Sequence, residues 1–168
     1  DLPQQIRAEF TLKNEFAENY GILGEIAADN RSVSVHIRRG DYVSDPNNLS
    51  WFGILPSDYY QRAMTYIESK IKAPRYYVFS DDLDWARDHL TVNTEAVYVD
   101  IAGGKKEYLE LEAMRRCRHH IIANSSFSWW GAFLNENPEK LVIAPCQWLA
   151  QEALNRNVQI QMPAWIKV

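Results

Sequence analysis

The alternation of strand-like and helical segments along this chain predicts an α/β fold, a Rossmann-like parallel sheet of about five strands ordered 3-2-1-4-5 with helices on both faces. Three observations carry that expectation. Short runs rich in β-branched and aromatic residues end at Gly, Pro or Asp. Segments with helical periodicity separate them. Finally, 46% of the 168 residues are hydrophobic against 24% charged, a balance that suits one domain over residues 1–168 around a single core.

Residues 1–30 are expected to lead in as a long, interrupted helix from about Gln4 to Ala28, with Ile6, Phe10, Phe16, Tyr20, Leu23 and Ile26 apolar and Gly21 and Gly24 weakening its end. Asp29-Asn30 turns the chain, and Ser32 to Arg38 alternates as the first strand before Gly40 breaks it. Asp45 to Leu55 is rich in Pro, Asn and Ser and reads as an ordered surface loop. Ser57 is expected to cap a helix from Asp58 to about Lys72. Arg75 to Ser80 forms the second strand, which stops at Asp81-Asp82 and gives way to a short helix through Trp85 and Leu90. Ala96 to Asp100 is the third strand, and Gly103-Gly104 separates it from an amphipathic helix running from Glu107 to about Arg118. His119 to Ala123, a helix from Phe127 to Asn135, and Leu141 to Ala144 complete the pattern, followed beyond Gln147 by a short helix and tail.

In an open parallel sheet a ligand lies beyond the carboxyl ends of the strands where the winding reverses, here between the first and fourth strands. The segments delivered to that point are His36-Ile37-Arg38-Arg39-Gly40-Asp41-Tyr42 and Asn124-Ser125-Ser126-Phe127-Ser128-Trp129-Trp130-Gly131, with Ser80-Asp81-Asp82 on the same edge. An arginine leaving a strand end offers a forked, permanently charged group to phosphate oxygens. Alternation puts His36 and Arg38 on one face and sends Arg39 elsewhere. Ser125, Ser126 and Ser128 sit at a predicted helix N-terminus, where free backbone N–H groups and the helix dipole favour phosphate. Asp81 and Asp82 suit either the two N–H groups of a guanine edge or the cap of the helix that follows. The plainer reading of Arg38 and Arg39 is a surface ion pair with Asp41, and that of His36 is a satisfied core histidine. Residue types and spacing lead as far as a phosphate-bearing ligand, a nucleotide above all.

Other classes are disfavoured. A net charge of -4 and a pI near 5.6 argue against general nucleic-acid binding. Cys117 and Cys146 lie far apart without the spacing of a zinc site, and no metal is expected. His119 and His120 point to opposite sides of their strand and read as structural, while Trp129 and Trp130 open a helix that must pack on the sheet. Asn124-Ser125-Ser126 also fits a glycosylation sequon, a poor reading for a segment that faces a cleft. No P-loop or GxGxxG follows any strand. No window has the uninterrupted apolar length of a membrane helix, so a soluble chain is expected. It begins at Asp1 rather than methionine, as a piece of a longer protein would.

Taken together, His36 to Tyr42, Phe79-Ser80-Asp81-Asp82 and Asn124 to Ala132 resemble the alpha-1,2-fucosyltransferases, glycosyltransferase family 11. The three motifs occur in family order between Val33 and Leu134, and Met162-Pro163-Ala164-Trp165-Ile166 is similar to the family's C-terminal end. The resemblance implies a metal-independent, inverting GT-B enzyme of two Rossmann-like domains that transfers L-fucose from GDP-fucose to a glycan with terminal galactose. This chain would be its C-terminal, donor-binding half, with the N-terminal acceptor half absent. Arg38 would hold the pyrophosphate, His36 and one acid of Asp81-Asp82 would address guanine, and Ser126 with its neighbours Asn124, Ser125, Phe127 and Ser128 would complete the phosphate cradle. Asp41 is the candidate general base within the motifs, or an orienting partner for Arg39. A non-catalytic nucleotide-sugar-binding module and a fucosyltransferase of another linkage are the competing expectations. A bacterial source would place the protein in the cytoplasm, at the inner membrane surface.

Overall fold

A computed structural model describes residues 2–10, 20–101, 103 and 106–168. Strand β1 (Ser32–Ile37) is buried at every position, as a central strand covered on both faces must be. It pairs in parallel with β2 (Arg75–Ser80) on one side and β4 (His119–Ile121) on the other. With β3 (Glu95–Tyr98), β5 (Val142–Ala144) and β6 (Ile166–Lys167), the described residues form one six-stranded parallel sheet in the order β3-β2-β1-β4-β5-β6. The expected order of five strands stands. The sixth was hidden in the tail because two residues carry no readable period.

Helices cover both faces. On one, α5 (Ser57–Glu68) sets Tyr59, Tyr60, Ala63, Met64 and Ile67 against Val33, Val35, Ile37 and Val78, joined by Ala86 of α6 (Leu83–His89). On the other, Leu23 and Ile26 of α2 (Gly21–Ala28) and Leu109, Ala113 and Met114 of α7 (Glu107–Arg116) pack on Tyr77 and Phe79. A third cluster gathers Ile122, Val142, Trp148 and Trp165 with Ala132 of α8 (Ser126–Leu134). The buried Tyr59 hydroxyl donates to the Ile122 carbonyl at 2.6 Å, which ties α5 to the segment just after β4.

The long leading helix resolves differently. Its described parts are α1 (Leu2–Glu9) and α2, while Phe16 and the rest of residues 11–19 lie outside the described residues. Phe10 stacks on Trp130 at 5.2 Å, and Trp129 lies inward against Trp165 with its indole N–H on the Ile160 carbonyl. The adjacent histidines have the separate structural roles expected. His120 Nδ1 pairs with Ser34 Oγ at 2.8 Å, and His119 Nδ1 accepts the Leu141 N–H at 3.1 Å.

Two local expectations are corrected. The stretch read as a loop is helical: α3 (Gly40–Ser44) is followed by α4 (Pro46–Phe52), whose first turn is capped by Asp45 accepting the Asn47 N–H at 2.8 Å. Asp at the cap with Pro next is a start signal that outweighs the low helix propensity of the asparagines behind it. Ser57 is the first helical residue of α5 rather than its cap, a position held by Pro56. No described helix is long and apolar enough to cross a membrane. Short α9 (Glu152–Asn155) occupies the expected tail helix.

Candidate functional site

An open cavity of about 480 Å³ lies at the carboxyl ends of β1, β2 and β4, at the switch point of the sheet. His36, Arg38, Asp41, Ser80, Asp81, Ser125, Ser126 and Phe127 line it, as do Tyr42, Phe52, Glu107 and Glu110. His36 is 5% exposed and tilts against the Phe127 ring at 5.7 Å. Burial and the Arg38 charge push its pKa down to about 3, so the imidazole is neutral. Its Nδ1 has no hydrogen-bond partner among the described residues. A buried polar atom left without a partner is uncommon and calls for one that the described residues do not supply.

Arg38 meets two carboxylates, Asp81 Oδ2 at 3.0 Å and Asp41 Oδ1 at 2.6 Å, with the Tyr42 ring 5.5 Å from its guanidinium carbon. Asp41 therefore partners Arg38 and not Arg39. Asp81 is fixed from behind, since its Oδ1 accepts the Arg39 N–H at 2.8 Å. A Cβ on Gly40 would stand 2.6 Å from Asp81 Oδ2, so any larger residue there would have to displace the Asp81 carboxylate.

Arg39 turns away as alternation predicts, 4.0 Å over the Trp85 ring and 3.2 Å from Asp82 Oδ2. Asp82 Oδ1 accepts the Trp85 N–H at 3.0 Å and caps α6, so of its two readings capping is the one realised. Neither Arg39 nor Asp82 lines the cavity.

On the β4 side, α8 begins at Ser126 with Ser125 in the cap position and no side-chain cap, leaving its first amides to the cavity wall. Ser128 is turned inward: its Oγ accepts the Ala123 N–H at 3.2 Å and donates to the Ser125 carbonyl at 3.3 Å. Asn124 is buried too, and its amide donates to the Phe52 and Trp148 carbonyls at 2.8 and 3.2 Å, holding α4 beside the site. Neither residue lines the cavity. The structure thus brings His36, Arg38, Asp41, Ser80, Asp81, Ser125, Ser126 and Phe127 together and leaves Arg39, Asp82, Asn124 and Ser128 behind them.

The sequence profile described as glycosyl transferase family 11 matches residues 1–168, the whole chain. The chain belongs to that family. A curated O-antigen biosynthesis glycosyltransferase of Escherichia coli, WbnK, is 37% identical over 145 residues, which covers 85% of this chain and 46% of the relative. An alpha-1,2-colitosyltransferase of Escherichia coli is 37% identical over 134 residues, 79% of this chain and 46% of the relative. Human galactoside alpha-(1,2)-fucosyltransferase 1 is 29% identical over 144 residues, 79% of this chain and 39% of the relative. The chain spans less than half the length of these relatives. No solved structure matches it significantly.

In this family 11 chain two acidic wall residues escaped the sequence reading, Glu107 and Glu110 at the start of α7, as did the aromatic wall residues Tyr42 and Phe52. The available signal was a pair of acids one helical turn apart, just past a glycine break at the carboxyl end of β3. Burial, then the neighbouring Asp100 and Glu107 charges, push the Glu110 carboxyl up to about 7. Between its ordinary 4.5 and that value the folded chain keeps a proton that the unfolded chain has lost, so folding stability falls as pH rises through this window. Glu110→Gln is therefore expected to raise the melting temperature at pH 8 and leave it unchanged at pH 4. Equal shifts at both pH values in thermal melts would show that ionisation of Glu110 is not the cause.

Proposed function

We propose that this chain binds the nucleotide end of GDP-fucose in a family 11 enzyme that transfers L-fucose, with inversion, to a galactoside hydroxyl in alpha-1,2 linkage. The observation that carries the reading is convergence. A forked cation (Arg38), the uncapped N-terminus of α8 and a neutral imidazole with a free nitrogen (His36) line one cavity at the switch point. The first two suit a diphosphate. The fucosyltransferase and colitosyltransferase relatives add weight.

Within this reading the guanine assignment changes. Asp81 and Asp82 have their oxygens engaged by Arg38, Arg39 and the α6 cap. Of the wall acids, Glu107 and Glu110 have no salt-bridge partner among the described residues, and Glu110, its carboxylate also held by the Ile101 backbone, is the one we assign to accept the two N–H groups of a guanine edge. As the bond between fucose C1 and the β-phosphate oxygen breaks, Arg38 and the α8 amides stabilise the charge gathering on GDP, a preorganised contribution of about 3 kcal/mol per well-placed group. The acceptor oxygen attacks C1 from the opposite face and its proton passes to a base. Positive charge for the leaving group comes from the protein itself, so the reading calls for no metal.

The direct test incubates the intact protein with GDP-fucose and a terminal galactoside and analyses the product's linkage. An alpha-1,2-fucosylated product in EDTA is the expected result, and transfer in another linkage or only with added metal contradicts it. The colitosyltransferase relative favours one second reading, the same nucleotide-binding half serving a different sugar. Competition between GDP-fucose and a colitose-bearing nucleotide distinguishes the two.

A further inference from the structure

Arg38 carries two carboxylates of unequal standing, and we propose that they act on an anionic ligand in opposite directions. Asp81 orients the guanidinium for phosphate oxygens, whereas Asp41 competes with those oxygens for the same N–H edge. The inference rests on the nucleotide-sugar reading above for the identity of the anion, though its logic needs only a diphosphate.

Asp81 cannot move easily. One oxygen accepts the Arg39 backbone N–H at 2.8 Å and the other meets Arg38 Nη1 at 3.0 Å, so both ends of the carboxylate are held. It is a fixed strut, and together with the Tyr42 ring it sets the position of the guanidinium. Asp41 is different in kind. It belongs to the five-residue helix α3, its side chain is 48% exposed, and its second oxygen takes one side-chain bond, from Asn48 Nδ2 at 3.2 Å. Among the described residues its side chain is held by these two polar contacts alone, the Arg38 ion pair and the Asn48 bond.

A guanidinium has five N–H groups in one plane. Asp81 takes Nη1 and Asp41 takes Nη2; Arg38 and both carboxylates line the cavity, but Asp81 is anchored on the Arg39 backbone N–H and Asp41 is the more exposed of the two. A phosphate reaching Arg38 from the cavity thus meets an N–H edge already held by a like-charged oxyanion. The carboxylate must swing off as the phosphate seats, which lowers affinity for the anion. The same competition speeds departure of the diphosphate left after glycosyl transfer, because Asp41 returns to Arg38 as the product loosens. Asp41 is by this account a positioning residue that governs release, and Asp81 one that governs seating.

The test is calorimetric titration of the full chain with inorganic pyrophosphate and with GDP at low ionic strength, for the wild type, Asp41→Asn, Asp41→Ala and Asp81→Asn. Asparagine at position 41 keeps an acceptor for Asn48 but removes the charge, and the alanine variant guards against a new contact made by the amide. Both Asp41 variants are expected to bind pyrophosphate about threefold or more tighter, the scale of one partly exposed ion pair. Asp81→Asn is expected to bind it about fivefold or more weaker, from loss of the strut. Unchanged or weaker binding by the Asp41 variants overturns the proposal. Tighter binding by Asp81→Asn overturns it as well, since generic charge repulsion would then explain both positions. Failure of the underlying reading looks different: opposite effects on pyrophosphate with no preference for GDP over ADP leave this inference standing while the guanine assignment falls.

Discussion

Arg38→Ala is expected to weaken GDP binding by about 100-fold or more, the largest effect of any single replacement at the site, because it removes at least two charge-assisted hydrogen bonds worth about 1.5 to 3 kcal/mol each. Arg38→Lys retains the charge and is still expected to lose about tenfold, since an ammonium cannot fork onto two oxygens. The lysine variant separates geometry from charge. Asp41 and Asp81 meet separate nitrogens of the planar group, Nη2 and Nη1, and the Tyr42 ring lies 5.5 Å from its central carbon. Affinity for GDP that survives both replacements would remove Arg38 from the diphosphate seat, whatever its effect on stability.

The second large effect concerns base recognition. Glu110→Gln is expected to reduce the preference for GDP over ADP by about tenfold or more, because a carboxylate accepts from both N–H groups of guanine while the amide offers one acceptor and an opposing N–H. The preference should also depend on pH. With its carboxyl pushed up to about 7, Glu110 is largely protonated at pH 6 and ionised at pH 8, so the wild type should discriminate more strongly at the higher pH. The glutamine variant should show no such slope. Competition titrations of GDP against ADP at the two pH values check this, and a flat wild-type profile would return the guanine edge to other groups.

Much of the site was legible because it is made of strand ends. Period-two alternation put His36 and Arg38 on one side and turned Arg39 away, and the winding of the sheet alone located the cavity between β1 and β4. What could not be read is which polar groups the protein spends on itself. Asp82, Asn124 and Ser128 look as suited to a ligand as their neighbours do. They are instead occupied by the α6 cap, the carbonyls of Phe52 and Trp148, and the turn into α8. Those partners come from distant or sharply turned parts of the chain, to which local periodicity is blind. Glu110 was missed for the converse reason. It sits near the start of an ordinary amphipathic helix, and only the packing of α7 against β2 brings it to a wall shared with Arg38.

The central claim is that this cavity takes the nucleotide of a guanine-linked sugar without help from a metal. Titration calorimetry of the wild-type chain with GDP, with ADP as the control and EDTA in every cell, tests it most directly. The account predicts saturable GDP binding that survives EDTA, is at least about tenfold tighter than ADP binding, and is lost in Arg38→Ala. Equal affinity for the two nucleotides, or binding that EDTA abolishes, would contradict it.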